Sequence, residues 1–407
     1  MKRKIFIWAQ IIVAATLLGV VVANVVERLP KSEKNAKYVF LFIGDGMGAT
    51  HVAAAESYLS YKAGKLGGEQ LTMTQFPYYG TCTTHSANYN VTCSSAAGTA
   101  IACGEKANNG TVGINKDSVN IKSVAYDLQE RGYNIGIISS VPVNHATPAS
   151  FYAHSINRSN YYEIALQIPE SGFDFFASAG FLDYKDKKGD KEPVDAIIEN
   201  NGYKVCYGLE EYNSKGAADS EKVIFCQASN KAENAENYVS DAKVEEDITL
   251  AKMVEMGIEN LGSKEPFFIM CEGGTIDWAA HDNRTMSTVT DVIDFDAAIK
   301  VAYDFYLEHP DETLIIVTAD HETGGITLGA GSSSIKWEKL ENQWIESGRK
   351  NTLNSEDNAK LNKACSIGWT TTGHTGGAVP VFAIGQGAER FNGRIDNTEI
   401  KGKILGR

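Results

Sequence analysis

Five short apolar runs, Tyr38 to Ile43, Ile135 to Ser139, Phe267 to Cys271, Thr313 to Thr318 and Val381 to Ile384, are built from β-branched and aromatic residues. They read as buried strands of a mostly parallel sheet, since strands covered on both faces lack the apolar/polar alternation of a half-exposed one. Helical patterns fall between them, for example Ser123 to Glu130, Val244 to Leu261 and Val289 to Tyr306. That alternation predicts a layered α/β architecture with helices on both faces of the sheet. No repeat, low-complexity segment or break in composition divides the chain, so residues 37–407 read as one domain. The charge run Lys185 to Glu192 and the polar segment Gly329 to Lys363 read as solvated loops or a small surface insert, the second lying within residues 329–368.

The segments just beyond these strands are more informative than the strands themselves, because open α/β sheets bind ligands at the carboxyl ends of their strands. The first run leads into Gly44-Asp45-Gly46-Met47-Gly48, the second to His145-Ala146-Thr147-Pro148, and the third to Glu272-Gly273-Gly274-Thr275-Ile276-Asp277. The fourth ends in Ala319-Asp320-His321-Glu322-Thr323-Gly324-Gly325, and Gly373-His374-Thr375-Gly376-Gly377 stands before the last. One acidic residue at a strand end is ordinarily a turn or cap residue; five such clusters on one sheet edge point to bound cations. Imidazole with carboxylate, without clustered thiolates, suits zinc in an open catalytic site, and carboxylate with hydroxyl suits magnesium. Asp277 and His281 are four apart and share one face of a helix. Adjacent Asp320 and His321 cannot point the same way in a regular strand, so they must occupy an irregular turn. His51, His85, His154 and His309 lie outside these motifs and read as structural or surface residues.

The chain begins with Lys2, Arg3 and Lys4 followed by an apolar run from Ile5 to Val26. Residues 1–26 therefore read as an export signal, long enough to serve as an N-terminal membrane anchor if uncut, and residues 27–36 as a linker. The expected location is exported: periplasmic, or anchored and facing the periplasm or the extracellular side. A net charge of −13 argues against nonspecific nucleic-acid binding but not against an anionic substrate, because bound cations reverse the local field. The seven cysteines lack CxxC spacing, and Cys206 with Cys226 is a candidate disulfide in an exported chain.

In this order the motifs GDGMG, TCSSAAGTA, HATPA, EGGTIDWAAH, TADHETGG and GHTGG resemble those of the alkaline phosphatase family, over nearly all of the chain beyond the leader. The resemblance implies a three-layer αβα sandwich with a central, mostly parallel sheet, commonly dimeric, holding two zinc ions and one magnesium. It implies broad hydrolysis of small-molecule phosphate monoesters. It further implies that Asp277, His281 and His374 hold the first zinc, and that Asp45, Asp320 and His321 hold the second with the serine nucleophile. Asp45, Thr147 and Glu272 would hold the magnesium. Within NVTCSSAAGT the thiol of Cys93 and the hydroxyls of Ser94 and Ser95 all compete for the role of nucleophile, and the family spacing selects Ser94. Arg158 matches the arginine that clamps phosphate, for which a planar guanidinium fork is suited. A continuous helix from Thr147 would carry Arg158 roughly 16 Å away along its axis, so that helix is expected to end before Asn157.

Three departures stand out. Cys93 replaces the family's usual aspartate, an anion that often buttresses the arginine, so Arg158 is expected to be held more loosely. His145 and Trp278 resemble the branch of the family in which imidazole near the third site lowers its selectivity for magnesium. The short insert implies that dimer-crown elaborations are absent or reduced. A sulfatase would need proline and arginine after Cys93, and neither is present. A phosphodiesterase of the same superfamily, or an inactive exported metal- or phosphate-binding protein, are the competing readings.

Overall fold

Ten strands form the central sheet: β1 (Tyr38–Gly44), β2 (Tyr78–Thr83), β3 (Asn134–Ser139), β4 (Phe175–Ser178), β5 (Lys204–Tyr207), β6 (Val223–Cys226), β7 (Phe267–Gly273), β8 (Thr313–Thr318), β9 (Val379–Gly385) and β10 (Gly393–Asp396). Their spatial order is β10-β2-β9-β8-β1-β7-β3-β4-β6-β5. Only β9 runs antiparallel to its neighbours, β2 and β8. The computed structural model describes residues 35–185, 189–230, 247–262, 265–349 and 352–407. The leader or anchor in residues 1–26, most of the linker, and the first residues of the helical pattern from Val244 lie outside the described residues. Ala36–Leu405 form one compact unit, and among the described residues no helix is long and apolar enough to cross a membrane.

Every residue of β1, β7 and β8 is buried, as their unbroken apolar sequences demand. Phe40 packs edge-on against Phe267 with ring centroids 5.3 Å apart, and Phe42 meets Phe295 at 5.9 Å. Each such buried ring contributes about 1.5–3 kcal/mol relative to exposure. The consequence for function lies in the register. Ile43 is opposite Glu272 on one side and Thr318 on the other, and Ser139 is opposite Glu272. Three neighbouring parallel strands therefore end at one level, and the chain deposits Asp45, Glu272 and Asp320 side by side at that edge.

The helices that matter for the site are α1 (Ala49–Lys62), α2 (Ser94–Cys103), α3 (Ala146–Ala149), α4 (Leu250–Leu261), α5 (Thr275–His281), α6 (Thr285–Glu308), α7 (Trp337–Glu346) and α8 (Ser355–Ala364). Helix α2 is buried at every position. Its small residues permit this: a Cβ on Gly98 would meet the Ser150 hydroxyl at 3.0 Å and the Thr147 Cα at 3.3 Å, so α2 lies directly against the segment that carries Thr147.

Two expectations are corrected. Of the two readings of the polar segment from Gly329, solvated loop or small insert, the solvated loop is overturned. The segment contains α7 and α8, and α7 docks on α1, with Trp337 and Leu340 buried. Trp337 Nε1 donates to Ser57 Oγ at 3.0 Å, while Tyr58 and Lys62 both donate to Glu341 at 2.6 Å. The apolar stripe is narrow, Trp337, Leu340 and Trp344, and the polar residues between them conceal its helical period. The second correction concerns Cys206 and Cys226, which are free, like the other five cysteines. On adjacent strands Cys206 is opposite Phe225 and Cys226 opposite Tyr207, so the two thiols sit one register position apart and point to opposite faces.

Candidate active site

Asp45, at the end of β1, begins a turn that only glycine can complete. Gly46 has φ of 72°, and a Cβ there would lie 2.8 Å from Thr323 Oγ1 and 2.9 Å from Asp277 Oδ1. Without a side chain, Gly46 instead donates its N–H to Asp320 Oδ1 at 3.1 Å. His321 N donates to the same oxygen at 2.9 Å, so Asp320 is fixed by two backbone groups and Oδ2 is left over. As expected, Asp320 and His321 occupy an irregular turn, after β8 and before a two-residue strand, Glu322–Thr323, that pairs with His374–Thr375. That pairing brings His374 in from far along the chain.

His321 Nε2 lies 3.2 Å from Asp320 Oδ2, 3.4 Å from Asp45 Oδ1 and 3.2 Å from Ser94 Oγ. Ser94 opens α2, and its hydroxyl is buried against this group, whereas the Ser95 hydroxyl turns back to Cys93 Sγ at 3.2 Å. Helix α5 places Asp277 and His281 one turn apart, with Oδ2 and Nε2 separated by 3.3 Å. His374 Nε2 approaches His281 Nε2 to 3.1 Å and Asp277 Oδ1 to 3.7 Å.

Hydrogen bonds on the far side of each ring orient these imidazoles. His281 Nδ1 donates to the Thr372 carbonyl at 2.5 Å, and His374 Nδ1 to the Thr92 carbonyl at 2.9 Å. Thr323 gives its one hydroxyl proton to Asp277 Oδ1 at 2.5 Å and so accepts from His321 Nδ1 at 3.2 Å. All three Nε2 atoms therefore face inward with their lone pairs, the arrangement that outer hydrogen bonds impose on metal-binding histidines.

Three groups of potential ligand atoms each lie within 4.8 Å of one another: Asp277 with His321 and His374, Asp45 with Asp320 and His321, and Asp45 with His145 and Glu272. Both carboxylate oxygens of Asp45, Asp320 Oδ2, Glu272 Oε1, Thr147 Oγ1 and His145 Nδ1 are buried without a hydrogen-bond partner. Orphaned oxygens of this kind, facing bare imidazole nitrogens, are costly unless a cation sits among them. The residues thus fit divalent metals by their own chemistry.

Titration follows the same logic. Burial, then the neighbouring acids Asp320, Asp277 and Glu272, raise the Asp45 carboxyl well above its ordinary range. Burial pushes Glu272 up to about 8 and, with Asp277 beside it, Asp320 up to about 7. Asp277 moves the other way: burial opposes it, but the His281 hydrogen bond and the imidazoles around it win and lower its pKa. His281 correspondingly rises to about 9 through its hydrogen bond to Asp277. In the absence of metal a proton there relieves the repulsion between the His281 and His374 lone pairs.

Arg158 reaches the cluster because α3 is a single turn, ending well before Asn157. Its backbone N–H donates to Gly110 O at 2.7 Å, and its Nη2 donates to His145 Nε2 at 3.1 Å. Burial, then the positive charge of Arg158, lowers the His145 pKa to about 3, so the ring accepts this bond as a neutral group. Trp278 stands edge-on to His145 at 5.8 Å. Cys93 Sγ accepts from Gly110 N at 3.1 Å, so one residue, Gly110, joins the position before Ser94 to the Arg158 backbone. Burial works against ionisation of this thiol. The hydrogen bonds from Ser95, Ala96 N and Gly110 N, together with the Arg158 charge, outweigh burial and lower its pKa.

The structure brings together all of the residues singled out by sequence. Thr323, Thr92 and Thr372 were not among them. Thr323 is two positions beyond His321 and meets its Nδ1 across the turn, a contact that sequence spacing does not announce; the two carbonyls leave no trace in side-chain identity.

Buried acids gathered around inward-facing imidazoles at the edge of an α/β sheet, with a serine hydroxyl among them, define a metal-dependent phosphoryl-transfer site. The chain belongs to the alkaline phosphatase family, whose sequence profile matches residues 36–242 and 232–405. It is 31% identical to alkaline phosphatase 4 of Bacillus subtilis over 89% of this chain and 86% of that protein. Alkaline phosphatase 3 of the same organism is 30% identical over 94% and 91%. The structure of alkaline phosphatase from the Antarctic bacterium TAB5 is 34% identical, covers 92% of this chain and 98% of that one, and superposes with a TM-score of 0.74. A variant of the TAB5 enzyme, 33% identical with the same coverage and TM-score, has magnesium bound in its M3 site. The protein is accordingly a metal-dependent phosphatase with the alkaline phosphatase fold, a hydrolase of phosphate monoesters.

Proposed function

We propose that the chain hydrolyses a broad range of phosphate monoesters through a phosphoserine on Ser94 and releases inorganic phosphate. The observation that carries this reading is the Ser94 hydroxyl, buried at the first position of α2 and 3.2 Å from the bare Nε2 of His321. In this reading Asp277, His281 and His374 hold one zinc, and Asp45, Asp320 and His321 hold a second beside Ser94. Asp45, Thr147 and Glu272 hold a magnesium. His145 adjoins the site of that third ion, but with its Nε2 accepting from Arg158 its Nδ1 carries the ring proton, so in this arrangement it stands beside the ion as a neutral neighbour; the magnesium in the TAB5 variant supports a cation there. Bound in these places, the metals supply Lewis-acid charge that activates the hydroxyl and water and offsets charge on the departing oxygen.

The Ser94 hydroxyl gives its proton to water, and Oγ attacks phosphorus in line with the ester oxygen; Oγ recovers a proton from water when phosphate finally leaves. The bond from phosphorus to the alcohol oxygen breaks, and the alcohol leaves with a proton drawn from water. Water then attacks the phosphoserine, the bond to Ser94 Oγ breaks, and orthophosphate departs. Throughout, the positive end of α2 faces the phosphoryl oxygens. Arg158 presents its guanidinium to the same oxygens, so most of the acceleration comes from placement and fixed charge. Arg158→Ala is expected to lower kcat/KM by about ten- to a hundredfold, the loss of one charge-assisted contact. Inhibition by inorganic phosphate should weaken in parallel, and an unchanged inhibition constant would remove Arg158 from the clamp.

The leader-like residues 1–26 and the family resemblance support an exported, homodimeric enzyme. Rates on a phosphate monoester and a phosphate diester measured side by side test the reaction class. A clear diester preference would overturn it in favour of the phosphodiesterase reading, and phosphate binding without any release would favour the inactive binding protein.

A further inference from the structure

The last residue of β3 has a relation to the third cluster that the proposed chemistry does not use. Ser139 is fully buried and sits opposite Glu272 in the β3–β7 register. Its hydroxyl accepts the N–H of Val141 at 3.0 Å. With its acceptor side occupied by a backbone donor, the single hydroxyl proton is directed to Glu272 Oε2, with which it makes a short hydrogen bond. Glu272 Oε1 has no partner. The donor is itself held in place: a Cβ on Gly274 would lie 2.6 Å from Val141 Cγ2 and 3.2 Å from Glu272 Cδ, so Val141 is wedged beside the Glu272 carboxyl. The neighbouring Ser140 hydroxyl accepts from Gly274 N at 2.9 Å and Thr275 N at 3.3 Å, tying the same two loops together through backbone donors.

We infer that Ser139 is a positioning and specificity-determining residue for the third cation: by taking one lone pair of Glu272 Oε2 and fixing the plane of the carboxyl, it favours ligation through Oε1 over ligation through both oxygens. This rests on the reading of Asp45, Thr147 and Glu272 as a magnesium site. Magnesium takes single carboxylate oxygens in a small octahedral shell, whereas calcium takes more oxygens at longer distances and readily uses both oxygens of one carboxylate. A hydrogen bond that disfavours the two-oxygen mode therefore favours magnesium over calcium. It also fixes the remaining oxygen, as outer hydrogen bonds do for metal ligands generally.

The test uses the full-length protein reconstituted with zinc, then equilibrated against magnesium or calcium chloride, with bound metal measured by mass spectrometry. Ser139→Ala is expected to weaken magnesium binding about tenfold and to narrow the magnesium-over-calcium preference, while zinc content stays the same. Ser139→Cys, nearly the same size but a weak donor, is expected to fall between, and it carries the test if the alanine variant fails to fold. Ser178→Ala, which removes a buried hydroxyl at the end of β4 bonded to the Gly180 backbone, is expected to leave the preference unchanged. An unaltered preference in both Ser139 variants, alongside wild-type protein that binds magnesium, would overturn the role of Ser139. Wild-type protein that binds neither ion would instead overturn the reading of the third cluster.

Discussion

Ser94→Ala is expected to abolish measurable turnover, a loss on the order of 10³-fold or more in kcat, while Ser95→Ala keeps activity within about tenfold of wild type. The difference arises from where two adjacent hydroxyls point. Ser94 Oγ lies against His321 Nε2, and Ser95 Oγ lies against Cys93 Sγ. Steady-state rates on p-nitrophenyl phosphate check both variants. Zinc content measured on the same samples separates a lost nucleophile from a lost metal site. Equal losses in the two variants would mean that α2 had been perturbed as a whole.

Stripping the metals should make the protein less stable at alkaline pH than near neutrality, the reverse of the trend expected for the loaded enzyme. In the metal-free chain the Glu272 and Asp320 carboxyls stay protonated up to about 8 and about 7, and Asp45 is raised with them. An unfolded carboxyl has released its proton by about pH 5, so through this window the native state binds more protons than the unfolded state. Stability conferred by a raised pKa is present at low pH and is lost as pH climbs through the folded value. His281, raised to about 9, extends the same loss into the alkaline range. The depressed Asp277 has its stabilising effect in full above the ordinary carboxylate range and adds no slope here. His145, lowered to about 3, is neutral in both states above about pH 6.5 and adds none either. Cys93, whose thiol pKa is lowered, releases its proton before an unfolded thiol does and contributes the opposite slope near the top of the window, one group against the four raised ones. Between about pH 6.5 and 9 the metal-free protein should still lose on the order of a few kcal/mol. Bound divalent ions replace those protons and bind more tightly as pH rises, so the loaded protein should gain stability over the same range. Thermal unfolding with and without chelator across that window checks the sign, and a chelated protein whose stability is flat or rising would contradict it.

Much of the site was legible because its chemistry sits at strand ends, and strand ends can be found from apolar runs. Tyr38 to Ile43 is unmistakable, and the residues after it must lie at the sheet edge, which delivered Asp45. The i, i+4 spacing of Asp277 and His281 required only that α5 be helical. Side-chain direction was less legible. The sequence Cys93-Ser94-Ser95 offers three candidate nucleophiles, and only the start of α2 decides which faces the acids. What Arg158 bonds, with cysteine in place of a carboxylate at position 93, was not legible: its guanidinium bonds His145 and its backbone bonds Gly110. Neither partner can be inferred from spacing, since both depend on how distant loops meet. The four-residue strands β4, β5, β6 and β10 escaped notice because so short a run carries little periodicity. Helix α7 was missed because only Trp337 and Leu340 are buried on it, with Trp344 half-buried beside them.

If Ser94 carries the phosphoryl group between the two half-reactions, that group can be caught there. Acid quenching of the wild-type enzyme during turnover of a phosphate monoester, with the modified peptide mapped by mass spectrometry, should find phosphate on Ser94 and none on the same peptide of Ser94→Ala. Phosphate on Ser95 or Cys93 instead, or an active enzyme that never carries it on this peptide, would show that the group passes by another route.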